Sequence, residues 1–152
     1  MKVDVNFYFW RIRKMNSFTR SVDLLQREMD VLTLRHQVSA NNLAMSEVPG
    51  YKRQYVNFES ELKRAFDSEE IAKNSFHLAT KDDRHIQINV PYDYKKVEPR
   101  RVTDYISTEN ANGSNVNVEE EANEILQIQM QYRLLTQLTS FEFDQVNTAM
   151  KK

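Results

Sequence analysis

The sequence predicts a mainly α-helical protein in which two long terminal helices pair as an antiparallel coiled coil. The chain contains two glycines and three prolines, and all five fall between Pro49 and Gly113. Because these residues are the strongest helix breakers, both ends of the chain are free to form long helices. We expect helices at residues 17–47 and 116–150, joined by an irregular middle region at 48–115 that holds a short helix and a small β-hairpin or extended segment.

The composition limits the function classes. A chain of 152 residues with 40% apolar content predicts one domain with a thin core. The net charge of -1 argues against general attraction to nucleic acid or to anionic membranes. The absence of cysteine excludes disulfides, thiolate metal sites and cysteine nucleophiles. No run approaches the roughly 18 apolar residues that span a bilayer, so we expect no direct membrane insertion.

Residues 1–14 form an N-terminal extension that combines basic residues with an aromatic cluster, F-Y-F-W, at positions 7–10. The apolar stretch is too short for a signal peptide, and no small-residue cleavage site follows it. Met15 directly precedes the helix cap expected at Asn16 or Ser17, so a start at Met15 would make the extension an artefact of start-codon choice. We therefore expect residues 15–152 to form a single domain.

The N-terminal helix carries a heptad seam. Residues at alternating spacings of three and four predict one face that packs on a partner helix. Its lower half carries His36 and Ser39 where a stable coiled coil would have leucine or isoleucine, so the isolated pairing should be weak. The seam consists of Val22, Leu25, Met29, Leu32, His36, Ser39 and Leu43.

The C-terminal helix has a clear start signal. Asn117 can cap the helix and Glu120 can answer from the third position, as in a capping box. Apolar residues off the main stripe, such as Leu126, Met130 and Leu134, make the helix apolar around more of its circumference than one partner requires. We therefore expect contacts with more than one neighbour. The main stripe consists of Val118, Ala122, Ile125, Ile128, Tyr132, Leu135, Leu138 and Val146.

The middle region has weaker patterns. Residues 59–72 predict a short helix, and alternating apolar residues predict strands at 86–90 and 101–106. Residues 48–51 read V-P-G-Y and fit a type II turn, with glycine at the third position, where a positive φ is needed. Asn112 and Gly113 predict a second tight turn.

Signals for a metal or nucleic-acid site are weak. His36, His77 and His85 are far apart in sequence and lack a ligand spacing, so we expect no metal site and no cofactor. A basic and aromatic cluster is interrupted by acidic residues, which favours a solvated or subunit-facing loop over a nucleic-acid surface. The basic and aromatic residues of that cluster are Lys95, Lys96, Arg100, Arg101, Tyr92, Tyr94 and Tyr105.

No phosphate loop, nucleophile elbow or dinucleotide fingerprint is present, and two glycines are too few for such motifs. We therefore do not expect an enzyme. A glycosidase-like carboxylate pair stays open at this point, because sequence does not reveal which carboxylates lie close together.

Asn41 and Asn42 are locally unfavourable near the end of a helix unless their amides form hydrogen bonds. A neighbouring subunit could provide the partner. On that hypothesis, Asn42→Leu leaves the helicity of the monomer intact or raised and impairs assembly.

A family resemblance rests on two blocks. Residues 40–52 read A-N-N-L-A-M-S-E-V-P-G-Y-K, which resembles the N-terminal signature of bacterial flagellar rod and hook proteins. Met45 and Val48 depart from the asparagine and threonine usual in that pattern. Residues 112–116 and 131–136 read N-G-S-N-V and Q-Y-R-L-L-T and are similar to the C-terminal region of a proximal rod subunit. The motif residues with an implied assembly role are Asn41, Asn42, Leu43, Ala44, Pro49, Gly50 and Tyr51.

The resemblance implies a structural subunit of the proximal rod of the flagellar basal body. Its terminal helices would assemble into the torque-transmitting shaft around the export channel. The implied partners are the chain itself, other rod proteins, the membrane-ring or rod-adaptor proteins at the rod base and the flagellar type III export apparatus. The implied location is the periplasmic rod, reached without a cleaved signal peptide. A helical adaptor or export-associated binding protein, using the same helices on a different partner, is the alternative.

Overall fold

The computed structural model describes residues 17–76, 88, 90–107 and 110–151. Its elements are helix α1 (Ser17–Ala44), strand β1 (Gln54–Asn57), helix α2 (Glu59–Asn74), a 3₁₀ turn (Tyr94–Lys96), strand β2 (Arg100–Thr103) and helix α3 (Val118–Met150). The mainly helical architecture and the small antiparallel sheet agree with the expectation from sequence. At 1.5 Å per residue, α1 and α3 are roughly 42 and 50 Å long.

The two terminal helices lie side by side and run in opposite directions. Asn42 near the end of α1 contacts Glu121 in the first turn of α3. At the other end, the rings of Phe18 and Phe143 meet edge to face with centroids 5.5 Å apart. The two contacts are separated by nearly equal lengths of α1 and α3, about 36 and 33 Å, so the helices stay adjacent between them.

A second side of α1 packs on the middle region. Val31 and Val38 are at most 3% exposed and form a core cluster with residues of β1, α2 and the 3₁₀ turn. The other buried members of this cluster are Val56, Phe58, Ala65, Tyr94 and Val97. Helix α1 is therefore enclosed between α3 and the middle region.

Two ion pairs fix α2 antiparallel to α1. Arg20 near the start of α1 makes two hydrogen bonds to the carboxylate of Glu69, at 2.7 and 3.3 Å. Arg35 in the second half of α1 pairs with Glu59 at the start of α2, with nitrogen and oxygen 2.5 Å apart. The Arg20 guanidinium also lies over the ring of Tyr94, 5.4 Å from its centroid.

The sheet joins segments that are distant in sequence. Gln54 pairs with Thr103 and Asn57 with Arg100 in an antiparallel register. The sheet is not a hairpin, because α2 and the 3₁₀ turn lie between its strands. The second strand falls within one residue of the start expected from sequence, but its partner is β1, which the apolar pattern of the chain did not indicate. Most of the strand expected at 86–90 lies outside the described residues; Ile88 and Val90 are exposed.

The helix ends differ slightly from expectation. Helix α1 ends at Ala44 instead of residue 47, because the chain turns before Pro49. Helix α3 begins at Val118 because Asn117 caps it, its side chain accepting hydrogen bonds from the backbone N–H groups of Glu119 and Glu120. Gly50 has a φ of 72°, and the N–H of Tyr51 donates to the carbonyl of Val48 at 3.2 Å, as expected for the type II turn.

Candidate assembly site

The end of α1 is fastened to β1 by one asparagine side chain. Asn42 is 1% exposed. Its Nδ2 donates to the carbonyl of Gln54 at 2.7 Å, and its Oδ1 accepts from the N–H of Gln54 at 3.0 Å. The amide therefore satisfies both backbone groups on the edge of β1, as a neighbouring strand would.

The partners of the Asn42 amide thus lie within the same chain. This differs from the sequence-based hypothesis that a neighbouring subunit provides them. A leucine at this position would leave the backbone of Gln54 without its partners, so we no longer expect Asn42→Leu to spare the monomer.

The signature turn is tied to the same amide. The hydroxyl of Tyr51 donates to Oδ1 of Asn42 at 3.1 Å. Burial, followed by the nearby charge of Glu121, raises the pKa of the Tyr51 hydroxyl, so it remains a donor at neutral pH. The N–H of Gly50 donates to the carbonyl of Asn112 at 3.1 Å, which joins the turn after α1 to the turn before α3.

A buried carboxylate completes this region from α3. Glu121 is 0% exposed, and its Oε1 accepts from Nδ2 of Asn42 at 3.3 Å and from Nε of Arg53 at 2.5 Å. The same arginine reaches Glu124 at 2.7 Å. Burial lowers the pKa of Arg53, but the hydrogen bond to Glu121 and the charges of both glutamates outweigh it and raise that pKa. Oε2 of Glu121 is buried without a hydrogen-bond partner.

Asn115 closes the region from the loop before α3. Its Oδ1 accepts from the N–H of Arg53 at 2.6 Å, and its Nδ2 donates to the carbonyl of Asp104 at 2.9 Å. Side chains from the end of α1, the signature turn, β1, the loop before α3 and the first turn of α3 thus meet in one network. We name this network the helix junction: Asn42, Tyr51, Arg53, Gln54, Asn115 and Glu121.

The remaining motif residues are placed differently. Leu43 is half-buried, whereas the others lie on the surface. Only Asn42 and Tyr51 of the signature contribute side chains to the helix junction. The exposed motif residues are Asn41, Ala44, Pro49 and Gly50.

The predicted seam of α1 is partly buried. Leu32 and Ser39 are at most 3% exposed and lie on the line that joins Phe18 to Asn42, the two points where α1 meets α3. His36 is exposed, because it lies at the edge of this line. The half-buried members of the seam are Val22, Leu25, Met29 and Leu43.

The inner side of α3 differs from the predicted stripe in several positions. Ile128 is 5% exposed, and Ile125, Leu135 and Val146 are half-buried. The stripe begins at the buried Glu121 instead of Val118 and Ala122, which are exposed. Apolar character alone could not identify Glu121, since its burial depends on Arg53 and Asn42. Tyr132 is 44% exposed and lies at the margin of the contact, whereas Leu138, 43% exposed, is turned away from the inner stripe.

The other side of α3 carries apolar side chains that the described part of the chain leaves exposed. At 100° per residue, these side chains centre about 150° around the helix from the inner stripe. Each is between 43% and 64% exposed. Soluble monomers rarely expose a contiguous apolar patch of this kind unless it is a binding surface. We name it the outer face of α3: Leu126, Met130, Leu134, Leu138 and Phe141.

The described residues do not support a metal site, a membrane-spanning helix or a nucleic-acid surface. Within the described residues, no group of three or more potential ligands could hold a metal ion, and His77 and His85 lie outside those residues. None of the helices in the described part of the chain is long and apolar enough to cross a membrane. Tyr94 of the basic and aromatic cluster is buried against Arg20 and Arg27, so its ring is not available to stack on a base.

Comparison with known proteins identifies the family. No family model matches the chain. The flagellar basal body rod protein FlgB of Borreliella burgdorferi is 40% identical over 137 residues, which are 90% of this chain and the whole of that relative. FlgB of Borrelia hermsii is 38% identical over the same share of both chains, and FlgB of Bacillus subtilis is 24% identical over 97% of its length. At this identity and coverage, the chain belongs to the FlgB family of flagellar basal body rod proteins.

Proposed function

We propose that the chain is a structural subunit of the proximal rod of the flagellar basal body, with residues 15–152 as its single rod domain. It assembles with further copies of itself and with other rod proteins into the torque-transmitting shaft around the export channel. The relatives, which are named as rod proteins, support the structural role and give no support to a helical adaptor or to an enzyme.

The outer face of α3 carries the proposal. Helix α1 uses one side of α3 within the monomer, while the apolar side chains of the outer face stay between 43% and 64% exposed. Burying an apolar side chain that is half exposed stabilises a contact by about 1 kcal/mol. Five such residues in one row therefore provide a substantial surface for the helices of adjacent subunits.

The pairing of α1 with α3 is the second part of the proposal. We infer that it is a coiled coil, because contacts at both ends and buried residues between them keep the helices adjacent over about 33 Å. The helix junction fixes the register of this pair. A fixed register gives every subunit the same arrangement of the outer face.

Membership of the family supports a proposal about the location of the subunit and its further partners. We infer that the subunit lies in the periplasmic rod, contacts membrane-ring or rod-adaptor proteins at the rod base, and is exported by the flagellar type III apparatus without a cleaved signal peptide. The heptad seam of α1 is short and includes His36 and Ser39, so its pairing with α3 should be weak in the isolated monomer. Such a chain would gain much of its stability from assembly.

Electron microscopy of basal bodies tests the proposal. A strain lacking the gene should have membrane rings without rod or filament, and the intact gene should restore both. A copy with Met130→Ser and Leu134→Ser should produce soluble, helical protein and fail to restore the rod. Ile71→Ser on α2 is the matched control, because Ile71 is 58% exposed, close to Met130 at 64% and Leu134 at 55%.

The control copy should restore rods and motility. Complete rods in the deletion strain would contradict the structural role. Normal rods with the doubly substituted copy would contradict only the assembly role of the outer face and would leave the structural role of the chain intact.

A further inference from the structure

We propose that β2 pairs with β2 of a second copy of the chain in an antiparallel, two-fold contact that joins the two small sheets into one. A two-fold contact closes on itself and cannot extend a shaft, so this pairing belongs to the free chain. The inference therefore goes beyond the proposed rod function and does not rest on it.

Helix α1 covers one edge of the small sheet, the edge of β1. The Asn42 amide bonds both backbone groups of Gln54, and Arg35 donates to the carbonyl of Val56. Because the backbone groups of Gln54 and Val56 point away from β2, those of their register partners point away from β1, towards the opposite edge. These partners are Thr103 and Arg101.

The opposite edge, that of β2, is open. Within the described residues, no hydrogen bond reaches the outward N–H and carbonyl groups of Arg101 or Thr103. Arg101 is exposed and Thr103 is half-buried. A strand edge with unpaired backbone groups is a template for pairing with another strand.

One register pairs both open residues of β2. With Val102 on the two-fold axis, Arg101 stands opposite Thr103 of the second copy. Thr103 in turn stands opposite Arg101 of that copy, and each pair exchanges two backbone hydrogen bonds. Moving the axis to Arg101 would place Thr103 opposite Pro99, which has no N–H to donate.

The side chains on the exposed face of the sheet suit this register. Tyr55 pairs with Val102 within the monomer and is 43% exposed, so Val102 lies on the exposed face. Because side chains alternate along a strand, Arg100 and Asp104 lie on the same face. In the two-fold register Arg100 stands opposite Asp104 of the second copy, and Val102 stands opposite its own equivalent. Both kinds of opposite pair stabilise an antiparallel sheet.

Asp104 is well placed for this cross-strand pair. Its N–H donates to the carbonyl of Arg53 at 2.8 Å, so the ladder continues one residue beyond β2. The hydroxyl of Ser107, together with the N–H groups of Ile106 and Ser107, bonds the Asp104 carboxylate and lowers its pKa. The strand thus begins with a positive charge at Arg100 and ends with a negative one, which makes it complementary to an antiparallel copy of itself.

Sedimentation equilibrium of the full chain measures the pairing. The contact is smaller than standard specific interfaces, so we expect a weak dimer with a dissociation constant on the order of 100 μM. Raising sodium chloride from about 0.1 to about 1 M should weaken it, because salt screens the pairs of Arg100 with Asp104.

Cysteine cross-linking tests the register, since the chain has no cysteine of its own. Val102→Cys places two thiols opposite each other, with Cα atoms about 4.5 Å apart, which suits a disulfide. Arg100→Cys is the matched control: it lies on the same face and is more exposed, but it is about 14 Å along the strand from its own equivalent. Under mild oxidation, Val102→Cys should cross-link at least about tenfold faster than Arg100→Cys.

Thr103→Pro tests the backbone pairing in the Val102→Cys chain. Proline removes the outward N–H of Thr103, which the monomer does not use, and proline is tolerated at such edge positions. Cross-linking should fall at least about tenfold, while helicity and thermal unfolding stay unchanged. Thr103→Ser keeps the N–H and should cross-link like the Val102→Cys parent. The comparison of the two cysteine positions decides the register even if the proline variant is unstable.

Equal cross-linking at Val102→Cys and Arg100→Cys would overturn the proposal, as would cross-linking that a folded Thr103→Pro variant leaves unchanged. A chain that stays monomeric to about 1 mM would show that the shortness and charge of β2 protect its edge, and would also overturn it. A dimer that Met130→Ser with Leu134→Ser abolishes would assign the contact to the outer face of α3 instead. None of these results depends on whether the chain builds a rod, so the two proposals fail separately.

Discussion

Asn42 and Gln54 are joined by two hydrogen bonds in which a side-chain amide takes the place of a neighbouring strand. The bonds are 2.7 and 3.0 Å long and satisfy both the carbonyl and the N–H of Gln54. This pair fixes where α1 ends relative to the sheet. It also explains how a polar residue that weakens a helix is stabilised near its end.

Asn42→Ala should lower the free energy of unfolding by about 2 to 4 kcal/mol, because it leaves two buried backbone groups unpaired. Asn41→Ala is the matched control, since Asn41 is exposed, and should change that free energy by less than about 0.5 kcal/mol. Urea denaturation followed by circular dichroism measures both. Equal effects of the two substitutions would show that the pairing with Gln54 contributes little.

Arg53→Met should destabilise the protein by about 3 kcal/mol, because it leaves the carboxylate of Glu121 buried without a cation. Combining Glu121→Met with Arg53→Met should restore most of the lost stability, because the methionine packs in the same place without a buried charge. Arg64→Met removes an exposed ion pair with Glu61 and should cost less than about 1 kcal/mol.

Denaturation of the two single variants and the double variant completes this cycle. If the loss of stability in the double variant equals the sum of the losses in the two single variants, Arg53 and Glu121 are not energetically coupled, which would contradict the ion pair at the helix junction.

Gly50→Ala should cost about 1 kcal/mol of stability. Apart from its chain neighbours, no atom of the described residues lies within 4 Å of a Cβ added there, so the cost comes from the positive φ of 72° and not from a clash. Gly50→Asn is the conservative comparison and should cost less, because asparagine tolerates the left-handed region better than alanine does. Thermal unfolding of both variants shows which of them is less stable. An alanine variant as stable as the parent would contradict the expected cost of the positive φ at Gly50.

The pairing of Arg20 with Glu69 should make stability depend on pH. The hydrogen bond from Arg20 lowers the pKa of Glu69 below its usual 4.5, and burial opposes this in part. The unfolded chain therefore binds more protons than the folded one as pH falls through 4.5, so this contribution is present above 4.5 and is lost as pH falls through the folded pKa.

Glu69→Gln should consequently be less stable than the parent at neutral pH, and the difference should shrink below pH 4.5. Glu70→Gln, at the exposed neighbouring position, is the matched control and should change stability at neutral pH by less than about 0.5 kcal/mol. Urea denaturation between about pH 3 and pH 7 measures both series. A difference for Glu69→Gln that is constant over this range would contradict the ion pair.

Local chemistry made much of the fold predictable from sequence. The cap at Asn117, the positive φ of Gly50 and the long helices free of glycine and proline each depend on residues within a few positions. The parts that could not be predicted depend on contacts distant in sequence. Strand β1 has a weak pattern, Q-Y-V-N, and its edge is completed by Asn42 and by Arg35, which donates to the carbonyl of Val56 at 3.3 Å.

The candidate site divides in the same way. The signature indicated Asn42 and Tyr51, but it gave no sign that they bond to each other. Glu121 has the ordinary sequence appearance of an acidic residue in the first turn of a helix. Only the positions of Arg53 and Asn42 in the folded chain make it buried.

The inner stripe and the outer face of α3 are made of different residues. Substitutions on the outer face change little that holds the monomer together, since its side chains are largely exposed. Over evolutionary time this face can therefore diverge to fit altered neighbours while the fold persists. Related chains should accordingly differ more at Met130 and Leu134 than at Ile128 or Glu121, and compensating changes should arise in the proteins that they contact.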